Sequence, residues 1–304
     1  MEFGVQSRGS WARSQEVAAW ALDRGLTAFA LPDHYLQRGS DLSLPSWDHL
    51  THLAALAAVT DGLELVSLVT PVTFRHPAVL YKMGVTIDEI SGGRFTLGLG
   101  AGWMDEEFRV FGIPYPSLKE RMDHLEEAMA YLRAAISPGA QGYEGELYQL
   151  EEFDPTPQPQ NLRLAMGGAG KDRARSIAAR YADEYNLYAR DPETYREVIA
   201  GTIQELEKVG RPPDAIFWTS AGPALAAKKE SDYRGLLGEL AEMTGQDPER
   251  IESVYEERHY PHGSGSKPAE MMAALEEAGC RRYYMQIFNT AVSNFDLILD
   301  AYRL

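Results

Sequence analysis

Apolar residues in this chain gather into short continuous runs, separated by longer segments with helical spacing. The runs Phe3–Gln6, Ala28–Leu31, Glu64–Thr70, Phe95–Ala101, Arg163–Gly167, Glu184–Leu187, Ala215–Ser220 and Arg282–Phe288 predict eight strands. Their hydrophobicity is continuous rather than alternating, which marks strands buried on both faces of a parallel sheet. Met122, Leu125, Met129, Leu132 and Ile136 form an apolar stripe at helical spacing, ended by Ser137, Pro138 and Gly139. Leu50, Leu53, Ala54 and Ala57 form a second stripe, with Asp48 as its N-cap. Ser14 to Arg24 forms a third, stopped at Gly25. Eight β–α units in 304 residues predict an α/β fold, a closed (β/α)8 TIM barrel spanning residues 1–304 as one domain. An open doubly wound sheet is the architectural alternative.

Two connections are too long for a simple β–α unit. Residues 137–161 hold GYEGELYQL, a hairpin-like excursion, and then the proline-rich EEFDPTPQPQ. Residues 222–267 carry charged helical stretches and end in HGSGSK. Insertions of this length serve either as lids over the strand-end face or as packing and dimer-interface segments.

Charge narrows the partners. There are 29 Lys and Arg against 45 Asp and Glu, a formal charge of −16, and no basic run. That balance argues against nucleic acid, which needs clustered cations to neutralise phosphates. The lone Cys280 permits no intramolecular disulfide and suits a reducing compartment. MEFGVQSRGSW shows no basic-then-apolar signal pattern, and no apolar run reaches the ~18–20 residues of a membrane span. The expectation is a cytoplasmic protein acting on a small molecule, with no membrane partner.

In parallel sheets ligands bind beyond the carboxyl ends of the strands. There this chain gathers Asp33, His34, Gly100, Gly102, Gly167 and Gly168. Gly98, Gly100 and Gly102 alternate and lack the dinucleotide spacing, so they admit a flat ligand or simply relieve crowding. MGGAGKDR fails as a P-loop, because Ala165 and Asp172 stand where glycine and a hydroxyl are required. What remains is a glycine turn into a helix with Lys171, Arg173 and Arg175 nearby. That suits an anion, or else a tight loop with solvated cations. His34 is a candidate proton carrier, and the neighbouring Asp33 points to the other side of its strand. His49 and His52 lack a convergent carboxylate, so no metal is expected. His259 and His262 read as solvated, His124 and Glu127 as a helix-surface pair, and His76 as closing the loop after the third strand.

The ordered blocks LPDHY, LVTPVTFRHPAVLYKM, DEISGGRFTLGLGAGW, FGIPYPSLKERMDHLEEAM and AMGGAGKDRARSIAARYADEYN resemble the bacterial-luciferase-like superfamily, particularly its coenzyme F420-dependent branch. The likeness implies a (β/α)8 barrel with insertions, as the strand count does, and commonly a homodimer. It also implies roles for residues at matching positions. Asp33 matches a contact to the deazaflavin ring and His34 the proton-transfer residue. Ser67–Leu68 matches a non-prolyl cis peptide whose bulge backs the ring, so Ser67, Leu68 and Thr70 count as cofactor-binding. Ala101, Gly102 and Trp103 match the fourth-strand end near the ring. Ala165, Met166, Gly167 and Gly168, with Lys171, match the segment that carries the phosphate tail.

Two positions depart from the members that act on sugar phosphates or simple alcohols. Arg38 stands where those carry tryptophan, and Trp103 where they carry glutamate, so their substrates do not transfer. The expected activity is hydride transfer between coenzyme F420 and a small organic substrate. The alternatives are an FMN-dependent monooxygenase using oxygen, and a non-catalytic flavin- or deazaflavin-binding protein.

Overall fold

The computed structural model describes residues 1–37, 45–139, 142–154, 156–188, 191–287 and 290–303. Elements follow in the order β1 (Glu2–Gln6), α1 (Trp11–Asp23), β2 (Ala28–Leu31), α2 (His49–Val59), β3 (Glu64–Pro71), α3 (Pro77–Ser91) and β4 (Phe95–Gly100). Next come α4 (Asp105–Phe111), α5 (Leu118–Ile136), β5 (Tyr143–Glu144), β6 (Gln149–Leu150), β7 (Arg163–Gly168), α6 (Asp172–Tyr181) and β8 (Glu184–Tyr188). The chain ends with α7 (Pro192–Lys208), β9 (Phe217–Pro223), β10 (Leu225–Ala227), α8 (Glu230–Thr244), α9 (Pro248–Glu257), β11 (His262–Ser264), α10 (Lys267–Glu277), β12 (Arg282–Gln286) and α11 (Phe295–Tyr302).

Eight strands close into a parallel barrel in the order β1-β12-β9-β8-β7-β4-β3-β2. The doubly wound alternative is thereby excluded. Strand edges moved only slightly from expectation. The seventh barrel strand starts at Phe217 and reaches Pro223, because the Ala215 N–H folds back onto the Pro212 carbonyl in a turn. The fourth stops at Gly100, before Ala101, where Gly102 takes a φ of 75°. The last ends at Gln286, and the Phe288 expected to close it lies outside the described residues. The Asp48 side chain accepts from Thr51 N, the anticipated cap of α2, and Ser117 and Glu120 form a capping box on α5 that the sequence reading did not name.

Both long connections are structured. β5 and β6 form the antiparallel hairpin, and it packs against α5. Glu127 of α5 accepts from the N–H groups of Glu146, Leu147 and Tyr148, while Asp88 of α3 accepts from those of Gln160 and Asn161. Glu127 is thus committed to the hairpin, and His124 contacts Tyr148 Oη at 2.9 Å instead of pairing with it. In the second connection β10 and β11 pair in parallel beside α8, α10 and α11. His262 is buried there rather than solvated, against the Tyr260 carbonyl at 2.7 Å, whereas His259 is exposed as expected.

Charged residues close the N-terminal mouth of the barrel. Arg282 contacts Glu64 at 2.7 Å and Glu2 at 2.8 Å, and Arg163 reaches Glu64 at 3.2 Å. Glu184 accepts from Thr219 Oγ1 at 2.8 Å and Tyr284 Oη at 3.2 Å. An open groove of about 980 Å³ flanks this end, lined by Arg133, Asp183, Trp218 and Arg281 among others, and contains none of the expected site residues.

Burial first, and then the nearby Glu64 charge, push the Glu184 carboxyl up to about 6. Burial is the largest effect on Glu64 too, but Arg282, Thr96 and Arg163 together outweigh it and hold that carboxyl below its ordinary value. The folded state binds the Glu184 proton more tightly than the unfolded chain, so this group's contribution to stability falls as pH rises through about 4.5 to about 6. A shift of that size corresponds to about 2 kcal/mol. Glu184→Gln is therefore expected to exceed the parent by about that amount at pH 8 and to match it at pH 4, measured by urea unfolding. A stability difference that does not vary with pH contradicts this assignment.

Candidate active site

Strand β3 carries the main irregularity of the barrel. Its register against β4 shifts between Ser67, opposite Leu97, and Thr70, opposite Leu99, leaving Leu68 and Val69 as a bulge. The Leu68–Val69 peptide is cis. The expected non-prolyl cis bond is present but follows Leu68 instead of preceding it. The bulge explains the glycines. A Cβ on Gly98 would lie 2.1 Å from the Ser67 carbonyl oxygen, and one on Gly100 2.8 Å from Val69 Cγ2. At Gly167 the nearest atom would be the same valine methyl, at 3.0 Å. These glycines relieve crowding around the bulge, the simpler of the two expectations. From the barrel interior Gln6 of β1 donates to the Leu68 carbonyl, and Gln286 of β12 donates to Gln6 at 2.8 Å.

Asp33 lies just past β2 with its carboxylate fully buried. One oxygen is 2.9 Å from His49 Nδ1, and the other accepts from Arg75 at 2.5 Å. Arg75 also pairs with Asp48 and lies over the Tyr35 ring, which stacks on Phe74. Burial alone would raise the Asp33 pKa, but His49 and then Arg75 hold it below the usual carboxylate value. Sequence reading assigned His49 no carboxylate, yet the fold brings Asp33 to it from a separate element. The other His49 nitrogen contacts Ser67 Oγ at 2.8 Å and Thr70 Oγ1 at 3.2 Å. Among the described residues no cluster of three His, Cys, Asp or Glu suits a metal ion.

His34, the next residue, engages a different element from Asp33. Its Nδ1 is 2.9 Å from the buried Glu107 carboxylate of α4, and its side chain is 24% exposed. The second Glu107 oxygen accepts from Tyr35 N at 2.5 Å and Leu36 N at 3.1 Å. Trp103 stands edge-on to His34 at 5.6 Å, half-exposed at the mouth. Sequence reading missed Glu107. The available signal was its place between the buried Met104 and Phe108, an acid on an apolar helix face.

Gly167 and Gly168 end β7 at the same end of the barrel, and Lys171 is the N-cap of α6 without a side-chain cap bond. Its first-turn amides and the exposed Lys171 remain available to an anion. Arg173 does not share that role, being paired with Asp123 and Glu126, and Arg175 pairs with Asp172. Asp33, His34, Ser67, Leu68, Thr70, Ala101, Gly102, Trp103, Gly167, Gly168 and Lys171 all lie at or near the C-terminal ends of their strands. Ala165 and Met166 sit deeper within β7, with buried side chains. Arg38 lies outside the described residues.

A family model described as luciferase-like monooxygenase matches residues 2–285. Among curated proteins, the pyrimidine monooxygenase RutA of Yersinia enterocolitica is 29% identical over 221 residues, 66% of this chain and 59% of the relative. The chain thus spans about three-fifths of that relative's length. An F420-dependent secondary alcohol dehydrogenase, solved with an F420–acetone adduct, superposes with a TM-score of 0.79 at 17% identity, over 100% of this chain and 99% of that one. A riboflavin lyase, solved with modified FMN and riboflavin, gives 0.79 at 15%, over 99% and 90%. At such identities the last two likenesses concern the barrel fold alone.

Gly98→Ala places a methyl group into the Ser67 carbonyl, and the expected loss is about 2 kcal/mol or more in urea unfolding. Gly235→Ala, on α8 with nothing within 4 Å of the new Cβ, is expected instead to gain about 0.5–1 kcal/mol from helix propensity. Equal behaviour of the two variants would show that the bulge does not press on β4.

Proposed function

The chain belongs to the luciferase-like monooxygenase family, and on that premise we propose that it is an oxidoreductase that moves a hydride between coenzyme F420 and a small organic substrate. The supporting observation is the His34–Glu107 pair at the barrel mouth. The residues present suit a deazaflavin. The β3 bulge offers a shaped ledge, the N-terminus of α6 with Lys171 offers an anion site for the phosphate tail, and Ser7 and Thr73 hold shielded hydroxyls without a hydrogen-bond partner among the described residues. When bound, the coenzyme supplies the hydride-carrying carbon.

In this reading the protein's work is positioning and proton handling. The Glu107 carboxylate facing Nδ1 favours the proton on that nitrogen, so Nε2 is left to give or take the proton that accompanies hydride transfer. Glu107 also grips the Tyr35 and Leu36 amides, which fixes the backbone from which His34 projects. Trp103 walls one side of the imidazole. Its indole cannot donate or accept a proton during turnover, so proton transfer falls to His34. A second reading, an FMN-dependent monooxygenase, draws support from the 29% identity to the pyrimidine monooxygenase RutA.

Titration with purified coenzyme F420 and with FMN, followed by fluorescence quenching, separates the two readings. F420 is expected to bind and FMN to bind weakly. The reverse, with substrate-dependent oxygen uptake on reduced FMN, would favour the second. His34→Ala should leave F420 affinity within about threefold while slowing oxidation of the reduced coenzyme by a panel of small acceptors by ~10²-fold or more. Unchanged turnover in that variant would remove His34 from the chemistry.

A further inference from the structure

We infer that His49 is a positioning residue, held by Asp33, that clamps the two ends of the β3 bulge and so sets the ledge on which the ring rests. This rests on the reading that a planar redox ring lies at the mouth. The bulge is bounded by Ser67 and Thr70, the last and first residues in register with β4 on either side of it. One nitrogen of His49 reaches both of their hydroxyls, at 2.8 and 3.2 Å, and the hydroxyls are 2.9 Å from each other. No other side chain spans the bulge in this way among the described residues. His49 is 2% exposed, Ser67 and Thr70 fully buried, so water does not substitute for the imidazole.

The chain of contacts has a direction. The Asp33 carboxylate faces His49 Nδ1 and favours a proton there, which leaves Nε2 as the acceptor for Ser67 Oγ–H. Thr70 Oγ1–H then donates to Ser67 Oγ, so Thr70 is held to the imidazole through Ser67 and its 3.2 Å approach to Nε2 is a contact rather than a second hydrogen bond. Asp33, His49 and Ser67 thereby repeat the donor order of a hydrolase triad, but Ser67 is sealed inside the barrel wall and no reactant reaches it. What the arrangement delivers is geometric. It pins two hydroxyls whose separation defines how far Leu68 and Val69 bow. It also gives Asp33 a role different from the ring contact expected from the resemblance: one carboxylate oxygen accepts from Arg75 and the other lies 2.9 Å from His49 Nδ1, a close charge contact outside hydrogen-bond alignment, so Asp33 acts through His49.

Three variants test this in the purified protein. His49→Phe fills the space without an acceptor, His49→Gln retains an amide oxygen near the Nε2 position, and Ser67→Ala removes the hydroxyl. In the unloaded protein, amide hydrogen exchange across residues 66–72 is expected to quicken by about tenfold in His49→Phe and to remain near the parent in His49→Gln. F420 affinity, read by fluorescence quenching, is expected to fall by about tenfold in His49→Phe, with rescue in His49→Gln. His49→Phe and Ser67→Ala combined should cost no more affinity than the larger single change. Parent-like exchange at the bulge in His49→Phe overturns the inference, as does a loosened bulge with ring affinity unchanged. If His49→Phe does not fold, the Gln variant and Ser67→Ala decide: parent-like exchange and affinity in Ser67→Ala overturn the inference. If the parent binds neither F420 nor FMN, the proposed function fails, and bulge exchange alone then decides whether His49 is a clamp.

Discussion

A carboxylate fully removed from water at the rim of an apolar barrel is the constraint around which the active end is arranged. An isolated ion at that depth costs several kcal/mol, and it persists only when opposite charge and hydrogen-bond donors converge on it. Asp33 meets this requirement with Arg75 on one oxygen and His49 on the other. Arg75 comes from the segment after β3, and His49 from the first turn of α2. Satisfying one charge therefore ties the end of β2 to the two units that follow it. The loop from β3 to α3 and the start of α2 are held at the mouth by electrostatics, not by apolar packing alone.

The two ends of the barrel manage buried charge differently. At the N-terminal end Glu2, Glu64, Arg163 and Arg282 form a shared network, and Glu184 keeps a raised pKa within it. That network spans strands from opposite halves of the closed sheet and acts as a polar plug. At the C-terminal end the carboxylates are separated. Asp33 is matched to cations and stays ionised, whereas Glu107 is matched to backbone amides and an imidazole. Separation leaves His34 facing one carboxylate, Glu107.

Most of the barrel was legible because buried parallel strands leave a blunt signal: eight continuous apolar runs, each matched by a strand within a few residues. The bulge itself was anticipated only by resemblance, and its cis bond fell one residue later, because no local pattern distinguishes Leu68 from its neighbours. Side-chain partners were the least legible part. His49 and Asp33 are sixteen positions apart in sequence, and Glu107 is seventy-three from His34, so only the side-by-side packing of the β2, β3 and β4 units brings them together. Histidines were misread for the same reason. His262 looked solvated in a polar loop, but the short β10–β11 pair buries it.

Asp33 and His34 show how one dipeptide serves two networks. Both residues stand in the turn just past β2, where Asp33 meets His49 of α2 and His34 meets Glu107 of α4. The first network is dry and fixed, fastening the bulge. The second is partly open and retains a ring nitrogen for proton exchange. A histidine placed on the dry side would be locked between fixed partners, as His49 is, and a carboxylate placed on the open side would face Glu107 with like charge. The order of these two residues is therefore not interchangeable. It follows that the chemistry available at the mouth depends on which way each residue beyond β2 turns as much as on which residues stand there.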